Sequence, residues 1–272
     1  MRSRLIAAAI VLAAGSACAA DSDERVAFIL GNGDYRHASP LRNPASDAGA
    51  LSAAFARLGY QVVLGRDLTR QALEAQAKAF FSRLDGVEVA VFFYAGHGLQ
   101  IDGRNFIVPV DFDPARSEPV ATQLVQLDEI IEGMAKRARN SLVFLDACRD
   151  NPFAGDLRAK LASGGSLSMN ASRSAHGVGT GLAEIKGRVG TLIAFATQPG
   201  NIALDGSGGN SPFTTGLLKN LEEPGLEVRE LLTKVRVDVV AETAGAQIPW
   251  DHSSLLASFY LKKRPRRFAS PP

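Results

Sequence analysis

Short, continuously apolar runs alternate along this chain with longer segments that have one apolar helical face. The runs are Val26–Leu30, Gln61–Leu64, Val87–Tyr94, Ser141–Leu145 and Thr191–Ala196. Apolar residues that follow one another without alternation are typical of parallel strands, because such strands are buried on both faces. One helical segment begins near Asn43, a second covers Thr69–Leu84 and a third covers Asp128–Ala138. The alternation predicts an α/β fold with a mostly parallel central sheet and helices on both faces.

The second half of the chain contains further predicted elements around one long irregular segment. Residues 154–188 are rich in glycine and serine and lack hydrophobic periodicity, which predicts a long functional or disordered loop. Beyond it, Ser211 and Pro212 predict a helix with a serine cap and a proline at its first position. We further predict a helix over Val228–Thr243 and a last strand over Ser254–Leu261.

The first residues of the chain predict export. A basic start is followed by a short apolar run and by Ala17-Cys18-Ala19, which together resemble a secretory signal peptide. The apolar run is shorter than the roughly 20 residues that a membrane-spanning helix requires. We predict a signal peptide over 1–19, a single domain over 20–262 and a disordered basic tail over 263–272, in a periplasmic or secreted protein. A lipid anchor on Cys18 is the alternative.

Charge and cysteine content narrow the function classes. The sequence has 30 Lys+Arg and 28 Asp+Glu residues, and two of the basic residues precede the predicted cleavage site, so the mature chain is close to neutral. This balance predicts no nucleic-acid partner, and we expect no membrane contact unless Cys18 is lipidated. Removal of Cys18 leaves Cys148 as the one thiol in an oxidising compartment. A lone cysteine there is either an inert core residue or a reactive group.

Two predicted strands end in residues that can carry chemistry. One runs into Gly96-His97-Gly98, and the other ends in Asp146-Ala147-Cys148. Ligands bind outside the carboxyl ends of strands in parallel α/β sheets, so neighbouring strands would bring His97 and Cys148 together. An imidazole raises the thiolate fraction of a nearby cysteine and can protonate a leaving amine. The pattern predicts Cys148 as a nucleophile, His97 as its base, and the N–H groups of Gly98 and Cys148 as oxyanion donors.

These motifs resemble the caspase–metacaspase–paracaspase superfamily, in its bacterial caspase-like branch. The resemblance rests on Tyr94–Gly98 and Asp146–Asp150, with the histidine about 50 positions before the cysteine as in caspases. Supporting segments are Ile29–Asn32 leading to Tyr35, Leu41–Ala48, Phe195–Gly200, Asn210–Thr214 and Pro249–Leu255. The resemblance covers Arg25 to about Leu261 and implies that the 20–262 domain has the caspase-like (caspase-hemoglobinase) fold and is a cysteine endopeptidase acting through a thioester acyl-enzyme.

Two alternatives accompany that interpretation. One is a peptidase of the same broad fold that is similar to clostripain or gingipain. The other is a catalytically inactive module that keeps the fold to bind peptides. Retention of both His97 and Cys148 favours an active peptidase over the second alternative.

Asp146 departs from animal caspases, which carry glutamine two residues before the cysteine. Metacaspases and paracaspases resemble this chain at that position and use the acid to bind a basic P1 residue. Asp47 matches their second S1 acid, and Asp205 is a third candidate. Partly desolvated carboxylates favour arginine or lysine and repel an acidic side chain. The resemblance therefore implies cleavage of peptide or protein substrates after Arg or Lys.

The sequence predicts no required cofactor and no metal site, because it has neither an H-E-x-x-H motif nor a cysteine pair in the mature chain. Calcium activates many metacaspases, but no cluster of aspartates indicates a calcium site here. Caspases are cut in the linker that corresponds to 154–188, so its basic residues predict self-cleavage. These residues are Arg158, Lys160, Arg173, Lys186 and Arg188.

Overall fold

The computed structural model describes residues 24–148, 153–167, 185, 187–198, 201 and 203–263, with Cys148 described by its backbone alone. The predicted signal peptide with Cys18, most of the predicted loop after residue 167, and the tail after residue 263 lie outside these residues. Within the described ranges, none of the helices is both long and apolar enough to cross a membrane.

The centre of the fold is a sheet whose main strands follow the order β2-β1-β3-β6-β7-β8. The strands are β1 Arg25–Gly31, β2 Gln61–Arg66, β3 Val89–Ile101, β4 Arg104–Ile107, β5 Val125–Gln126, β6 Asn140–Cys148, β7 Thr191–Phe195 and β8 Trp250–Ser253. The first five in that spatial order pair in parallel, whereas β8 pairs antiparallel with β7. The predicted mostly parallel sheet is therefore confirmed.

Helices cover both faces of this sheet, as predicted. The helices are α1 Pro44–Arg57, α2 Arg70–Phe81, α3 Leu127–Ala135, α4 Ala154–Ala162, α5 Pro212–Asn220 and α6 Val228–Glu242. Alternate residues of β1 enter separate cores: Ile29 packs in the core formed with α1, α5 and α6, and Phe28 packs in the core formed with α2 and α3. Because both faces are buried, the strand reads as one unbroken apolar run.

Strand β3 is longer than its apolar run predicted. The predicted strand ended at Tyr94, but β3 continues through His97 to Ile101. It then turns back through Asp102 and Gly103, whose positive φ angles of 51° and 77° suit a two-residue hairpin turn. The extension pairs antiparallel with β4 and so leaves the plane of the parallel sheet just beyond His97.

Two other predictions were wrong. The last strand is Trp250–Ser253 and not Ser254–Leu261; in the latter segment the described pairing is a single bridge between Glu227 and Tyr260. The actual strand is an edge strand with polar residues, so it lacks an apolar signal. Residues 154–162 form α4 within the predicted loop, and its buried Leu157 packs beside Phe112 in a third apolar cluster.

An ionic cluster joins the two ends of the described chain at the amino ends of the parallel strands. The Arg25 side chain donates to Glu88 at 2.9 Å and to the carbonyl of Leu261 at 2.8 Å. Lys263 Nζ lies 3.4 Å from the same glutamate. The carboxyl ends of these strands, where His97 and Cys148 lie, form the opposite edge of the sheet.

Candidate active site at the carboxyl ends of β3 and β6

The two predicted catalytic residues are directly opposite each other on neighbouring strands. His97 of β3 and Cys148 of β6 are the last described pair in the parallel register between these strands. Adjacent strands lie about 4.8 Å apart, so the two backbones are within side-chain reach of each other. The sulfur of Cys148 is outside the described atoms, and its approach to the imidazole stays a prediction.

The imidazole of His97 is buried between two aromatic side chains. The Tyr35 ring lies against it with 4.4 Å between ring centroids and a tilt of 35°. Phe153 approaches edge-on at 5.9 Å. Tyr35 comes from the loop after β1, and Phe153 immediately precedes α4, so the histidine is enclosed by segments far apart in the sequence.

The backbone of His97 is bonded by tyrosine hydroxyl groups. Its N–H donates to Tyr35 Oη at 2.7 Å, and its carbonyl accepts from Tyr94 Oη at 2.6 Å and from the N–H of Val108 at 3.2 Å. The two hydroxyl oxygens lie 3.4 Å apart. Both polar backbone groups of the histidine are thus satisfied at a position where β3 leaves the parallel sheet.

The glycines beside His97 have different settings. Gly96 has a φ of 148°, and a Cβ atom there would lie 2.6 Å from Tyr94 Oη and 2.7 Å from Tyr35 Oη. Packing against the two hydroxyl groups therefore requires glycine at position 96. Gly98 pairs with Ile107 of β4, and its role as an oxyanion donor stays a prediction.

The three predicted S1 acids line one small cavity. Asp47 lies in the first turn of α1, Asp146 lies two residues before Cys148 in β6, and Asp205 lies in the segment before α5. The cavity has a volume of about 20 Å³, which is room for about one water molecule. The structure therefore brings all three acids together around one small space.

Asp205 differs from the other two acids because two consecutive backbone N–H groups bind its carboxylate. It accepts from the N–H of Arg42 at 2.7 Å and from the N–H of Asn43 at 3.1 Å, just before α1 begins. Asp205 thereby fastens its own segment to the start of α1. Asp47 and Asp146 are both buried.

Ser211 links the two buried acids. Its N–H donates to Asp47 Oδ1 at 3.0 Å, and its hydroxyl donates to Asp146 Oδ2. The same hydroxyl oxygen accepts from the N–H of Thr214 at 3.0 Å and caps α5, as the sequence predicted. Sequence analysis identified the cap but missed the link to the acids, since a cap motif does not say what else contacts its hydroxyl group.

Burial governs the ionisation of these two acids. Loss of water contact, aided by the charge of Asp146, raises the pKa of Asp47 from 3.8 to about 8, against the opposing hydrogen bond from Ser211. Loss of water contact raises the pKa of Asp146 from 3.8 to about 7, although the Ser211 hydroxyl acts in the opposite direction. Each carboxyl group is thus harder to ionise than a solvated one, because the pocket holds no countercharge among its described residues.

Carboxylate oxygens accept hydrogen bonds from guanidinium and ammonium groups, so the three acids could bind an organic cation. Among the described residues, no group of three or more His, Cys, Asp or Glu residues is arranged to hold a metal ion.

Comparisons with known proteins point to one family. The caspase domain family matches residues 24–260 of this chain. The human mucosa-associated lymphoid tissue lymphoma translocation protein 1 is 33% identical over 128 residues, which is 46% of this chain and 15% of that protein. The mouse homologue is 32% identical over 128 residues, with the same coverage of 46% and 15%. The chain thus matches only a small part of the length of these relatives.

Proposed function

The chain belongs to the caspase domain family, and from this premise we propose that it is a cysteine endopeptidase that cleaves after arginine or lysine. A cysteine-peptidase domain is what the family match supports directly. The His97–Cys148 register at the carboxyl ends of β3 and β6 is the observation that carries the proposal further. This register supports a nucleophile and a base that act from adjacent strands on one substrate carbonyl.

In the proposed reaction, His97 accepts the proton of the Cys148 thiol, and the resulting thiolate attacks the scissile carbonyl carbon. The carbonyl oxygen gains negative charge, which the N–H groups of Gly98 and Cys148 stabilise. His97 then protonates the leaving amine as the C–N bond breaks, leaving a thioester on Cys148. Water deprotonated by His97 hydrolyses the thioester and releases the acid product and the free thiol.

The buried acids support the choice of substrate. Asp146 lies two residues before Cys148 in the same strand, and Ser211 links it to Asp47. An arginine or lysine side chain in this pocket would supply the missing positive charge, whereas an aspartate would add a further negative one. The cavity of about 20 Å³ is too small for such a side chain, so its walls must separate when substrate binds.

We extend the proposal to export and to self-cleavage within residues 154–188. Arg158 and Lys160 are poor sites because both lie inside helix α4, and the Lys160 ammonium group also donates to the carbonyl of Glu118 at 2.9 Å. A peptidase requires an extended substrate backbone. The Arg188 guanidinium group is already bound to Glu132 at 2.9 Å. Self-cleavage is therefore proposed after Arg173 or Lys186, which lie outside the described residues.

Fluorogenic peptides that end in Arg, Lys or Asp test the proposal. We expect wild-type protein to turn over the Arg and Lys peptides, and Cys148→Ala and His97→Ala to lose that activity, by about 10²–10⁴-fold for His97→Ala. The same samples, with and without calcium, are examined on a denaturing gel for fragments that only the active protein forms.

Each outcome has a separate meaning. Turnover of the Asp peptide alone would contradict the acidic pocket while leaving a cysteine peptidase in place. Binding of peptides without turnover by wild-type protein would favour the inactive interaction module. An intact wild-type band, equal to that of Cys148→Ala, would exclude self-cleavage.

A further inference from the structure

We propose that Tyr35 and Tyr94 are positioning residues that fix the main chain of His97, so that its imidazole is presented to Cys148 in one orientation. This inference rests on the proposed function, because it assigns His97 the role of the base. Neither tyrosine touches the reacting atoms in that scheme; both act through the histidine backbone.

The backbone N–H group of His97 is bound by a side chain. An N–H group has one proton, and here it is donated to Tyr35 Oη at 2.7 Å. The group that fixes this amide is therefore the side chain of a residue in the loop after β1. Tyr35 also contacts the imidazole of the same residue, with 4.4 Å between ring centroids. One buried side chain thus fixes both the backbone and the ring plane of His97.

The backbone carbonyl oxygen of His97 is bound by the second tyrosine. Tyr94 lies three residues earlier in β3, and its hydroxyl donates to the His97 carbonyl at 2.6 Å. The N–H of Val108 reaches the same oxygen at 3.2 Å from the start of the next segment. The peptide groups on both sides of the histidine Cα are therefore held, which limits rotation of its backbone.

Gly96 provides an independent indication that the space around these hydroxyls is filled. A Cβ atom at this position would lie 2.6 Å and 2.7 Å from the two hydroxyl oxygens and 2.9 Å from the carbonyl of Asn32. Its φ of 148° is also one that other residues rarely adopt. The glycine before the histidine is thus explained as room for the two tyrosines.

This arrangement bears on catalysis because β3 changes partners at this point, from the parallel sheet to the antiparallel ribbon with β4. The two hydroxyl groups bind the His97 backbone where one strand pairing ends and the other begins. A displacement of about 1 Å between catalytic groups can cost on the order of 10²-fold in rate. We therefore expect loss of either hydroxyl to lower kcat with little effect on KM, since neither group lies in the acid pocket.

The test compares Tyr35→Phe and Tyr94→Phe with Tyr60→Phe, a buried tyrosine that packs near Arg25 on the far side of the fold. Each change removes one hydroxyl and keeps the ring. We expect kcat on an Arg peptide to fall about 10- to 100-fold in Tyr35→Phe. Tyr94→Phe should lose less, because Val108 still donates to the carbonyl, and Tyr60→Phe should match the wild type.

A second readout separates this inference from the proposed function. Hydrogen exchange of the His97 amide, followed by NMR in full-length protein, should be faster in Tyr35→Phe than in the wild type and in Tyr60→Phe. Unchanged exchange together with unchanged kcat overturns the inference. The inference is also overturned if Tyr60→Phe loses as much activity as Tyr35→Phe. A loss of activity that is accompanied by a lower Tm and a changed KM overturns it as well, because such a loss reflects general destabilisation. If wild-type protein cleaves no basic peptide, the proposed function fails and the exchange rates alone decide whether the tyrosines hold His97.

Discussion

The two sides of the candidate active site are built by opposite means. On the histidine side, Tyr35 and Tyr94 satisfy the backbone of His97, and aromatic rings enclose the imidazole. On the acid side, Asp47 and Asp146 are buried as ionisable side chains and share one serine as their link. On the histidine side, hydrogen bonds to the backbone hold His97 in place before substrate binds. The acid side holds groups whose charged form is unfavourable until a cation arrives.

This difference predicts a division of labour between rate and recognition. Changes on the histidine side should act on kcat, because they alter the position of a reacting group. Changes on the acid side should act on KM and on the choice of P1 residue, and also on stability, because buried carboxyl groups cost folding free energy when they ionise.

The largest change in peptide cleavage is expected when one of the two buried acids is replaced. Asp47→Asn and Asp146→Asn should each lower kcat/KM for an Arg peptide on the order of 10²-fold. Each variant leaves the guanidinium group of the peptide without one of its two buried carboxylate partners. At pH 9 the Asp47→Asn protein should also be more stable to urea than the wild type. Asp85→Asn, at a side chain that is 87% exposed, serves as the control. Losses confined to kcat, with KM unchanged, would contradict the division of labour.

A smaller effect is expected at the serine that links the acids. Ser211→Ala should lower kcat/KM for an Arg peptide roughly tenfold, since a hydrogen bond to a charged group is worth about 1.5–3 kcal/mol. It also removes a helix cap, at about 0.5–2 kcal/mol of stability. Thr69→Ala removes the equivalent cap of α2, where the Thr69 hydroxyl accepts from the N–H of Ala72 at 3.4 Å.

The two cap variants sharpen the comparison because they share the loss of stability but not the contact with the acids. Urea unfolding should show similar losses, whereas peptide kinetics should change only in Ser211→Ala and should recover in Ser211→Thr. If Thr69→Ala loses as much activity, Ser211 acts through fold stability alone.

The smallest effect concerns protons. The pKa of Asp47 is raised to about 8 and that of Asp146 to about 7, so both acids are largely protonated near pH 6 and must ionise to bind a guanidinium group. Binding of an Arg peptide to the Cys148→Ala protein should therefore release protons at pH 6.5 and hardly any at pH 9. Calorimetry in buffers with different ionisation enthalpies measures the number of protons released when the peptide binds. Equal proton release at both values would show that the acids are already ionised.

The same pKa values fix the sign of the stability change without peptide. Between pH 4 and 8 Asp47 and Asp146 bind more protons in the folded protein than in the unfolded one, where aspartates titrate near 3.8. The free energy of unfolding should therefore fall as the pH rises through this window. The fall should be smaller in Asp47→Asn, which lacks one of the two groups.

The sequence predicted the parts of this molecule that depend on local pattern. The five parallel strands follow from their apolar runs, and the cap of α5 follows from Ser211 and Pro212. Strand β8 was misplaced because Trp250–Ser253 is an edge strand whose side chains are half-buried or exposed, so it carries no apolar run. Helix α4 was missed because its one buried residue, Leu157, gives no helical periodicity.

The candidate site divides in the same way. His97, Cys148, Asp47 and Asp146 were found from their flanking motifs, since those motifs are continuous in the sequence. The link through Ser211 and the hydroxyl contacts of Tyr35 join residues 65 and 62 positions away from their partners. Such contacts depend on tertiary packing, which a single sequence does not specify. The glycine at position 96 is the one local signal of the tyrosine contacts, and a glycine alone does not say which side chains fill the space beside it.

The cluster of Arg25, Glu88 and Lys263 has a practical consequence for handling the protein. It fastens both ends of the described chain to the side of the sheet opposite the candidate active site. An affinity tag or a surface linker joined directly at residue 24 or residue 263 would therefore leave the protein on that side, and protein immobilised in this way would present its candidate active site to large substrates in solution.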